Sequence, residues 1–507
     1  MYLVNLIHRK DGHQMIIKKL RHGALISLLA ISLIGLPHTA GAASVTTVTN
    51  SISSDTTETN ESSDLAIIQE VLNYLNAYNI EGVEREAFIE NAIRGMVYAL
   101  DDPYSDYYTK EELQDFMNGM NQQYVGIGVT LRFTDEKLYI TDVLAGSPAQ
   151  NAGLRQGDVI VRVGSQPVTS GEDILLIQGE ENTEVVITVI RSGKALTFPI
   201  TRASFVLPSV TSHFIDSSKI GYIAIASFSE SADKEFVTAL NSLRTAGMRS
   251  LVLDLRDNLG GYVDSAAKIA KHFIKDGILM YTADQSNQLE PVLIKDGEDI
   301  GMPVVILTNE LTASASEILT GALRDNGVAT VIGAQTYGKA RIQNVFSLSN
   351  GSSLKLTVEH YLTPKKEDFN HIGLKPDIEV NNNEAAQLIT GLYKAGLRQI
   401  EVSGSRSSLS INGVSFSGYI DVIQNGSKVY APSRLLTSLV RGNVNWSKEN
   451  QKLTVTDING VKAGFTKAAS SVKTVNNETY VELHDFQKKF PTIKWDYQQG
   501  VLNIAAK

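Results

Sequence analysis

The sequence predicts a multidomain α+β protein: a helical N-terminal module, a β-barrel-like segment, an α/β core and a small C-terminal β/α repeat module. Three observations predict it. The hydrophobic period changes along the chain, from helical spacing to short glycine-punctuated β runs, then to continuous apolar strands alternating with amphipathic helices. The 507 residues leave room for about three or four domains at roughly 100–200 residues each. A composition of 43% hydrophobic and 20% charged residues supports buried cores and excludes wholesale disorder.

Composition also narrows function. The formal net charge is −9 and the pI about 5.6, with no long Lys/Arg run, which argues against nucleic acid as a partner. The absence of cysteine removes thiolate nucleophiles, Fe–S clusters, Cys-based zinc sites and disulfides. His8, His13, His22 and His38, four of the nine histidines, crowd the first 38 residues, and no HExxH occurs. No metal and no cofactor are therefore expected.

Residues 1–43 read as an export signal. Lys18, Lys19 and Arg21 precede a 14-residue apolar run, Gly23 to Leu36, followed by Pro37 and a small-residue stretch ending at Ala42 and Ala43. That order is cationic, apolar and cleavage region, and the run falls short of the ~20 residues of a comfortable membrane span. A buried core helix is the competing reading, but clustered cations before it and Ala-x-Ala after it argue for export. Uncleaved, the segment would be a marginal anchor. With no second long apolar run, the rest is expected to work outside the cytoplasm, secreted or at the cell envelope. Residues 44–63, rich in Ser, Thr and Asn, predict a flexible linker.

From Asp64, the residues Leu65, Ile68, Val71, Leu72 and Leu75 recur at helical spacing, and a second helical stretch runs from Arg85 until Pro103 enforces a stop. Residues 64–119 are thus expected to be a helical module, with helices suited to forming a homodimer. Short β-rich runs between Tyr124 and Ser204 predict a β domain over 120–203. Alternating apolar strands and amphipathic helices from Lys219 predict a mostly buried sheet in a core spanning 204–395. Residues 406–507 contain a weak repeat, in which Tyr430 precedes Trp446 by 16 residues and Tyr480 precedes Trp495 by 15. The two tryptophans read as core anchors of a small β/α module; an exposed aromatic face for a glycan or partner is the alternative.

Two segments can carry chemistry. In Thr308–Gln343 an apolar strand leads through a short loop to Ser314-Ala-Ser-Glu317 and a helix. Ser314 with Glu317 fits a helix capping box, yet a serine at a strand-to-helix turn is also where nucleophilic serines sit, with unpaired N–H groups from Ala315 onward facing a developing oxyanion. A serine needs a base, and no histidine lies within 40 residues of Ser314 on either side. Lys339, one helix and one strand later in a Gly-Lys turn, can return alongside it in a βαβ layout, and must be neutral to act. Gln343 can hold its amine without adding charge. Taken alone, Lys339 also fits an exposed turn lysine. The second segment is Asp254-Leu-Arg-Asp-Asn-Leu-Gly260-Gly261, where a Gly-Gly pair after a buried strand frees backbone N–H groups, or simply makes a tight turn.

Together, DLRDNLGG and TASASEI…YGKARIQ resemble the carboxy-terminal processing peptidases, tail-specific serine peptidases with a Ser–Lys dyad. LDDPYSDYYT (100–109) is similar to that family's signature ahead of its PDZ domain, YVGIGVTL…VLAGSPAQNAGLRQGDVIVRVGSQPV to the PDZ domain, and IGYIAIASFSE and HYLTPKKEDFNHIGLKPDIEV to flanking strands and the closing segment of a crotonase-like peptidase core. The resemblance implies Ser314 as nucleophile, Lys339 as general base at the family's separation of 25 residues, Gln343 as its orienter, and Asp325 as structural support. It implies oxyanion donors from Ala315 and from Gly260 or Gly261. Tyr124, Val125, Gly126, Ile127 and Gly128 would be the PDZ loop that holds a free, apolar C-terminus of a protein or peptide substrate. Leu259, Thr312 and Ala340 replace the usual Pro, Ser and Gly. The tail repeat resembles a copper-amine-oxidase N-terminal-like domain of exported Gram-positive proteins, implying cell-wall or partner docking and no copper. The other readings are a catalytically silent PDZ scaffold, and hydrolysis through a Ser–His arrangement with His360 or His371.

Overall fold

A computed structural model describes residues 58–134, 136–476 and 478–506; the expected export signal and most of the expected linker lie outside them. The first helix, Glu58–Tyr78, starts ahead of the expected Asp64, which shortens the linker from its C-terminal side. Extending a helix backward costs little once its apolar turns are formed, because each added residue gains a hydrogen bond. Helices Arg85–Tyr98 and Lys110–Met120 follow, the latter capped reciprocally by Thr109 and Glu112.

Between them the module departs from the all-helical expectation for 64–119. Asp106–Tyr108 is a strand, paired antiparallel with Ser353–Leu362 of the core, Asp106 opposite Lys355 and Tyr108 opposite Ser353. Pro103 forbids helix here, and the buried Tyr107 and Tyr108 suit a pleated surface. The stripe on the first helix finds little cover among the described residues: Leu65, Ile68, Val71 and Leu75 are exposed, Leu65 by 67%, and only Leu72 is partly covered.

The β domain is a six-stranded antiparallel sheet closing on its own core, which includes Ile127, Leu138, Ile160, Ile187 and Val189. The chain enters it along Gln123–Gly126 and leaves along Ala203–Val206, and these two segments pair antiparallel as a two-stranded neck.

In the core, Ile220–Ile225, Ser250–Asp254, Val304–Thr308, Ala329–Gly333 and Ile378–Glu379 form a parallel run, with Val210–Ile215 antiparallel at one edge. Strands Ser250–Asp254 and Val304–Thr308 are buried at every position, as a sheet covered on both faces requires. One face packs on helices Ala232–Thr245, Val263–Ala270 and Ala315–Asp325. A second sheet is built around Ser353–Leu362, which pairs with Asp106–Tyr108, Gly277–Ala283 and Arg341–Ser347.

The C-terminal module begins earlier than the expected 406. Ile400–Ser405 pairs with the last strand, Val501–Ala506, so the first strand of that sheet lies before the repeat. The repeat is real in three dimensions: Lys428–Pro432, Ser433–Leu439, Asn443–Ser447 and Lys452–Thr456 give strand–helix–strand–strand, and Glu478–Glu482, Leu483–Lys489, Ile493–Gln498 and Val501–Ala506 give it again. Trp446 and Trp495 lie half-buried against the module's core, in keeping with anchors. That core is continuous with the other face of the mostly parallel sheet through helix Glu384–Lys394, whose Leu388, Ile389 and Leu392 join Val305 and Leu307 on one side and the module's apolar side chains on the other. The β domain touches both: Arg132 lies 4.0 Å from the Tyr419 ring centroid and 3.9 Å from Glu384 Oε2, and Gln156 donates to the Ser407 carbonyl at 3.0 Å.

Candidate active site

Ser314 occupies the junction of Val304–Thr308 and helix Ala315–Asp325 at φ 57° and ψ −117°, a conformation that side chains disfavour by about 1–3 kcal/mol. It persists because its surroundings over-determine it. The Ser314 N–H donates to Glu317 Oε2 at 2.8 Å, and its carbonyl accepts from Glu317 N–H at 2.7 Å and Ile318 N–H at 2.9 Å. Upstream, Thr312 Oγ1 donates to the Leu255 carbonyl at 2.8 Å, so the hydroxyl expected of a serine is retained there. Ala313 N–H and Ser316 Oγ both donate to the Asn258 carbonyl, at 3.0 and 2.9 Å. The serine turn and the Asp254–Gly261 loop are thus laced together.

Lys339 is no exposed turn lysine. It follows Ala329–Gly333 in an extended loop and is 1% exposed; Ser314 and Gln343 are 0% exposed, so all three are sealed from solvent in this state. The Lys339 Nζ has no hydrogen-bond partner among the described residues and lies 5.0 Å from the Tyr104 ring centroid. Burial, reinforced by the positive charge of Lys355, pushes its pKa well below the usual lysine range. Gln343 follows a bulge in the Arg341–Ser347 strand, donates from Nε2 to Thr357 Oγ1 at 3.1 Å, and leaves its buried Oε1 unpartnered. A buried donor without an acceptor and a buried acceptor without a donor are thus presented four residues apart.

What joins the two turns is Glu317, which the sequence suggests only as a cap. Its buried Oε1 accepts from Thr336 Oγ1 at 2.5 Å and Gly338 N–H at 2.7 Å, its Oε2 from Ser314 N–H at 2.8 Å and Lys339 N–H at 2.9 Å. Burial pushes its pKa up while the four donors oppose that; with every lone-pair direction facing a donor, the ionised form is the one this geometry fits. Tyr361, also missed, donates its hydroxyl to the Lys339 carbonyl at 2.6 Å, with the Ser314 carbonyl at 3.2 Å. No local pattern marks Tyr361; LDDPYSDYYT did mark Tyr104, without saying what its ring covers.

Three stretches of the chain match known protein families. The model of peptidase family S41 matches residues 219–380, a PDZ domain model 139–191, and that of the activating protease CtpB N-terminal domain 34–112. The segment that carries Ser314, Lys339 and Gln343 thus matches peptidase family S41. It is 36% identical over 298 residues to a probable CtpA-like serine protease of Staphylococcus aureus (strain COL), covering 57% of this chain and 59% of that protein. It is 34% identical over 310 residues to the carboxy-terminal processing protease CtpB of Bacillus subtilis (strain 168), covering 59% and 64%. The chain therefore spans about three-fifths of the length of these curated relatives. Among solved structures, a photosystem II D1 C-terminal processing protease aligns at 30% identity over 62% of this chain and 86% of that one, with a TM-score of 0.41.

Against that S41 frame the remaining expected residues fall as follows. The Ala315 N–H opens the helix and has no acceptor among the described residues. Of the two glycines expected as oxyanion donors, Gly260 is corrected: its N–H already donates to Asn258 Oδ1 at 2.8 Å, and Asn258 is fixed in turn by donating to the Ile225 carbonyl. That leaves Gly261, at φ 138°, where a Cβ would sit 2.4 Å from the Phe228 carbonyl oxygen, so only glycine fits. Asp325 binds Arg324 and accepts from Lys365 N–H at 3.0 Å, a structural tie at the far end of the helix. Ala340 does not adopt a positive φ, so the lysine turn needs no glycine there, which removes the sequence argument for a silent scaffold. His371 is exposed in a turn, with its N–H on the Gly338 carbonyl. Tyr124, Val125, Gly126 and Ile127 line a small pocket with Leu131, Ile174, Ile177 and Gln178, and Gly128 turns the loop with its carbonyl on Leu144 N–H.

Replacing Glu317 with glutamine puts an NH2 against two N–H donors. Glu317→Gln is expected to cost about 2–4 kcal/mol of stability, read as a lowered denaturant midpoint. Lys339→Met removes a buried, unpartnered amine and is expected to stabilise the fold at pH 7 by about 1–3 kcal/mol. Because the native lysine is depressed, the unfolded state binds the extra proton below the ordinary lysine range. Wild-type stability therefore rises with pH toward that range, and the advantage of the methionine variant shrinks, as thermal melts at pH 7 and pH 9.5 will register.

Proposed function

We propose that the protein is an exported serine endopeptidase that cleaves protein substrates at or near their C-termini through a Ser314–Lys339 dyad. The observation that carries this reading is the pair of buried atoms without a partner among the described residues, Lys339 Nζ and Gln343 Oε1, with the Lys339 backbone tied through Glu317 to a serine at a strained turn. Neutral Lys339 takes the Ser314 Oγ proton as Oγ bonds to the scissile carbonyl carbon. The carbonyl π electrons move to oxygen, where the N–H groups of Ala315 and Gly261 meet the charge. Collapse breaks the C–N bond, and Lys339 passes its proton to the leaving amine. Water then attacks the acyl ester with Lys339 again as base, releasing the carboxylate product and Ser314.

The PDZ domain supplies the substrate logic. Its Tyr124–Gly128 loop would hold the terminal carboxylate, and the neighbouring Ile174 and Ile177 favour an apolar last side chain. Since Ser314 and Lys339 are sealed, turnover requires opening, and tail capture above the two-stranded neck is the event we assign to it. The exposed apolar stripe on Glu58–Tyr78 supports pairing with a second copy, and the resemblance of the C-terminal module supports cell-wall or partner docking outside a Gram-positive-type cell.

The decisive assay is proteolysis of an unfolded reporter ending in an apolar residue. Ser314→Ala and Lys339→Ala are expected to lose at least about 10³-fold in rate, and amidating the reporter's C-terminus to slow the wild type. Unchanged cleavage by Ser314→Ala would sink the assignment. Tail binding by the wild type without any cutting would move the scaffold reading to the front, and loss of activity on changing His360 but not Lys339 would favour the Ser–His reading.

A further inference from the structure

Two of the described lysines are almost wholly buried, and the proposed dyad uses one of them. Lys339 is 1% exposed and Lys355 3%. Buried lysines are rare unless paired with a carboxylate, yet neither forms an ion pair among the described residues. Their surroundings differ in one decisive respect. Lys355 Nζ donates to the Tyr108 hydroxyl at 2.8 Å and lies 5.1 Å from the centroids of both the Tyr108 and Phe116 rings. Lys339 Nζ has a single aromatic face, Tyr104, and no acceptor. An acceptor and two ring faces favour an ammonium at Lys355 over one at Lys339.

The two lysines share one seat. Tyr104 and Tyr108 belong to the same short segment, fixed to the Ser353–Leu362 strand by the pairing of Asp106 with Lys355. It is also fixed by Thr357 N–H donating to Ser105 Oγ at 3.0 Å, with Ser105 Oγ donating to Asp102 Oδ2 at 2.5 Å. Two residues from Lys355, on the same side of the strand, Thr357 Oγ1 accepts the amide of Gln343. Lys355 therefore stands on the strand that orients Gln343 and beneath the segment that covers Lys339.

We propose that Lys355 is a positioning residue for the dyad, a buried cation locked on Tyr108 whose field keeps Lys339 in its neutral form. The proposal rests on the Ser–Lys reading and deepens it. The other groups that face the pair are Glu317 and Asp102, whose charges favour protonated Lys339, and Asp102 and Asp106, which favour protonated Lys355. Arg341 faces Tyr104 and Asp102, and the Tyr361 hydroxyl is committed to the Lys339 and Ser314 carbonyls. Burial lowers the Lys355 pKa to about 8, which still leaves it charged at neutral pH. Its charge thus opposes a second positive charge at Lys339.

The test is an NMR titration of full-length protein labelled at the lysine ε-carbon and carrying Ser314→Ala, with the Lys339 signal identified by its loss in Lys339→Met. In Lys355→Met the Lys339 midpoint is expected to rise by about one pH unit or more, and in Lys355→Arg to stay within a few tenths of wild type. On an active-serine background the acid limb of kcat/KM should move by the same amount, with about a tenfold loss at pH values below that limb that alkaline pH restores. An unmoved Lys339 midpoint in folded Lys355→Met overturns the proposal. Should that variant not fold, the unsubstituted lysines still decide: Lys355 must titrate above Lys339, and the reverse order overturns it. The titration needs no turnover, so a shift in a protein that never cuts supports the role of Lys355 while sinking the peptidase reading.

Discussion

A single buried carboxylate accepting four hydrogen bonds is the constraint on which the site depends. Glu317 takes the N–H of Ser314 and of Lys339 on one oxygen, and Thr336 and Gly338 on the other. The paired strands Val304–Thr308 and Ala329–Gly333 bring the serine and lysine turns together, and Tyr337 N–H donates to the Thr312 carbonyl at 2.9 Å, but the pairing stops short of Ser314 and Lys339 and does not itself lock them. Glu317 does, from the first turn of the helix, where a negative charge is also favoured by the helix dipole. The strained backbone at Ser314 and the burial of Lys339 are both unfavourable alone; each is tolerated because the same carboxylate fixes the other. Tyr361 adds a second bridge on the carbonyl side.

Much of this was legible in the sequence where the signal is local. Hydrophobic period located the helical module, the β domain and the core, and the Ser314, Lys339 and Gln343 positions came from motifs in order along the chain. What was not legible depends on which distant segments meet. A glutamate three residues after a serine reads as a cap, and nothing local says that it also reaches Thr336 and Gly338. The Gly260-Gly261 pair offers two free N–H groups on paper, but Asn258 claims one of them. Tyr107 and Tyr108 sit within a stretch that reads as helical module, and only the free edge of Ser353–Leu362 makes them a strand. Lys355 is invisible for the same reason, since its burial comes from Tyr108 and Phe116, almost 250 residues earlier.

These long-range contacts also make the parts less separable than a row of domains suggests. The segment at 102–108 is stitched into the core and supplies the ring over Lys339. Ser227 Oγ donates to the Met120 carbonyl, fixing the end of the next helix as well. On the opposite side Arg132 of the PDZ domain is held between Tyr419 and Glu384, and the Glu384 carbonyl accepts from Arg256 at 2.7 Å. Arg256 is paired with Asp254, only a few residues before Gly261. The β domain is therefore linked through Glu384 and Arg256 to the foot of the loop that carries Gly261.

The last strand, Val501–Ala506, lies beside Ile400–Ser405, and the core they help to close is the one that covers the outer side of helix Glu384–Lys394. This makes the outer side of helix Glu384–Lys394 dependent on long-range pairing: the helix itself covers Val305 and Leu307 of the sheet, while its own outward side chains are covered by a module whose first and last strands lie far apart in sequence.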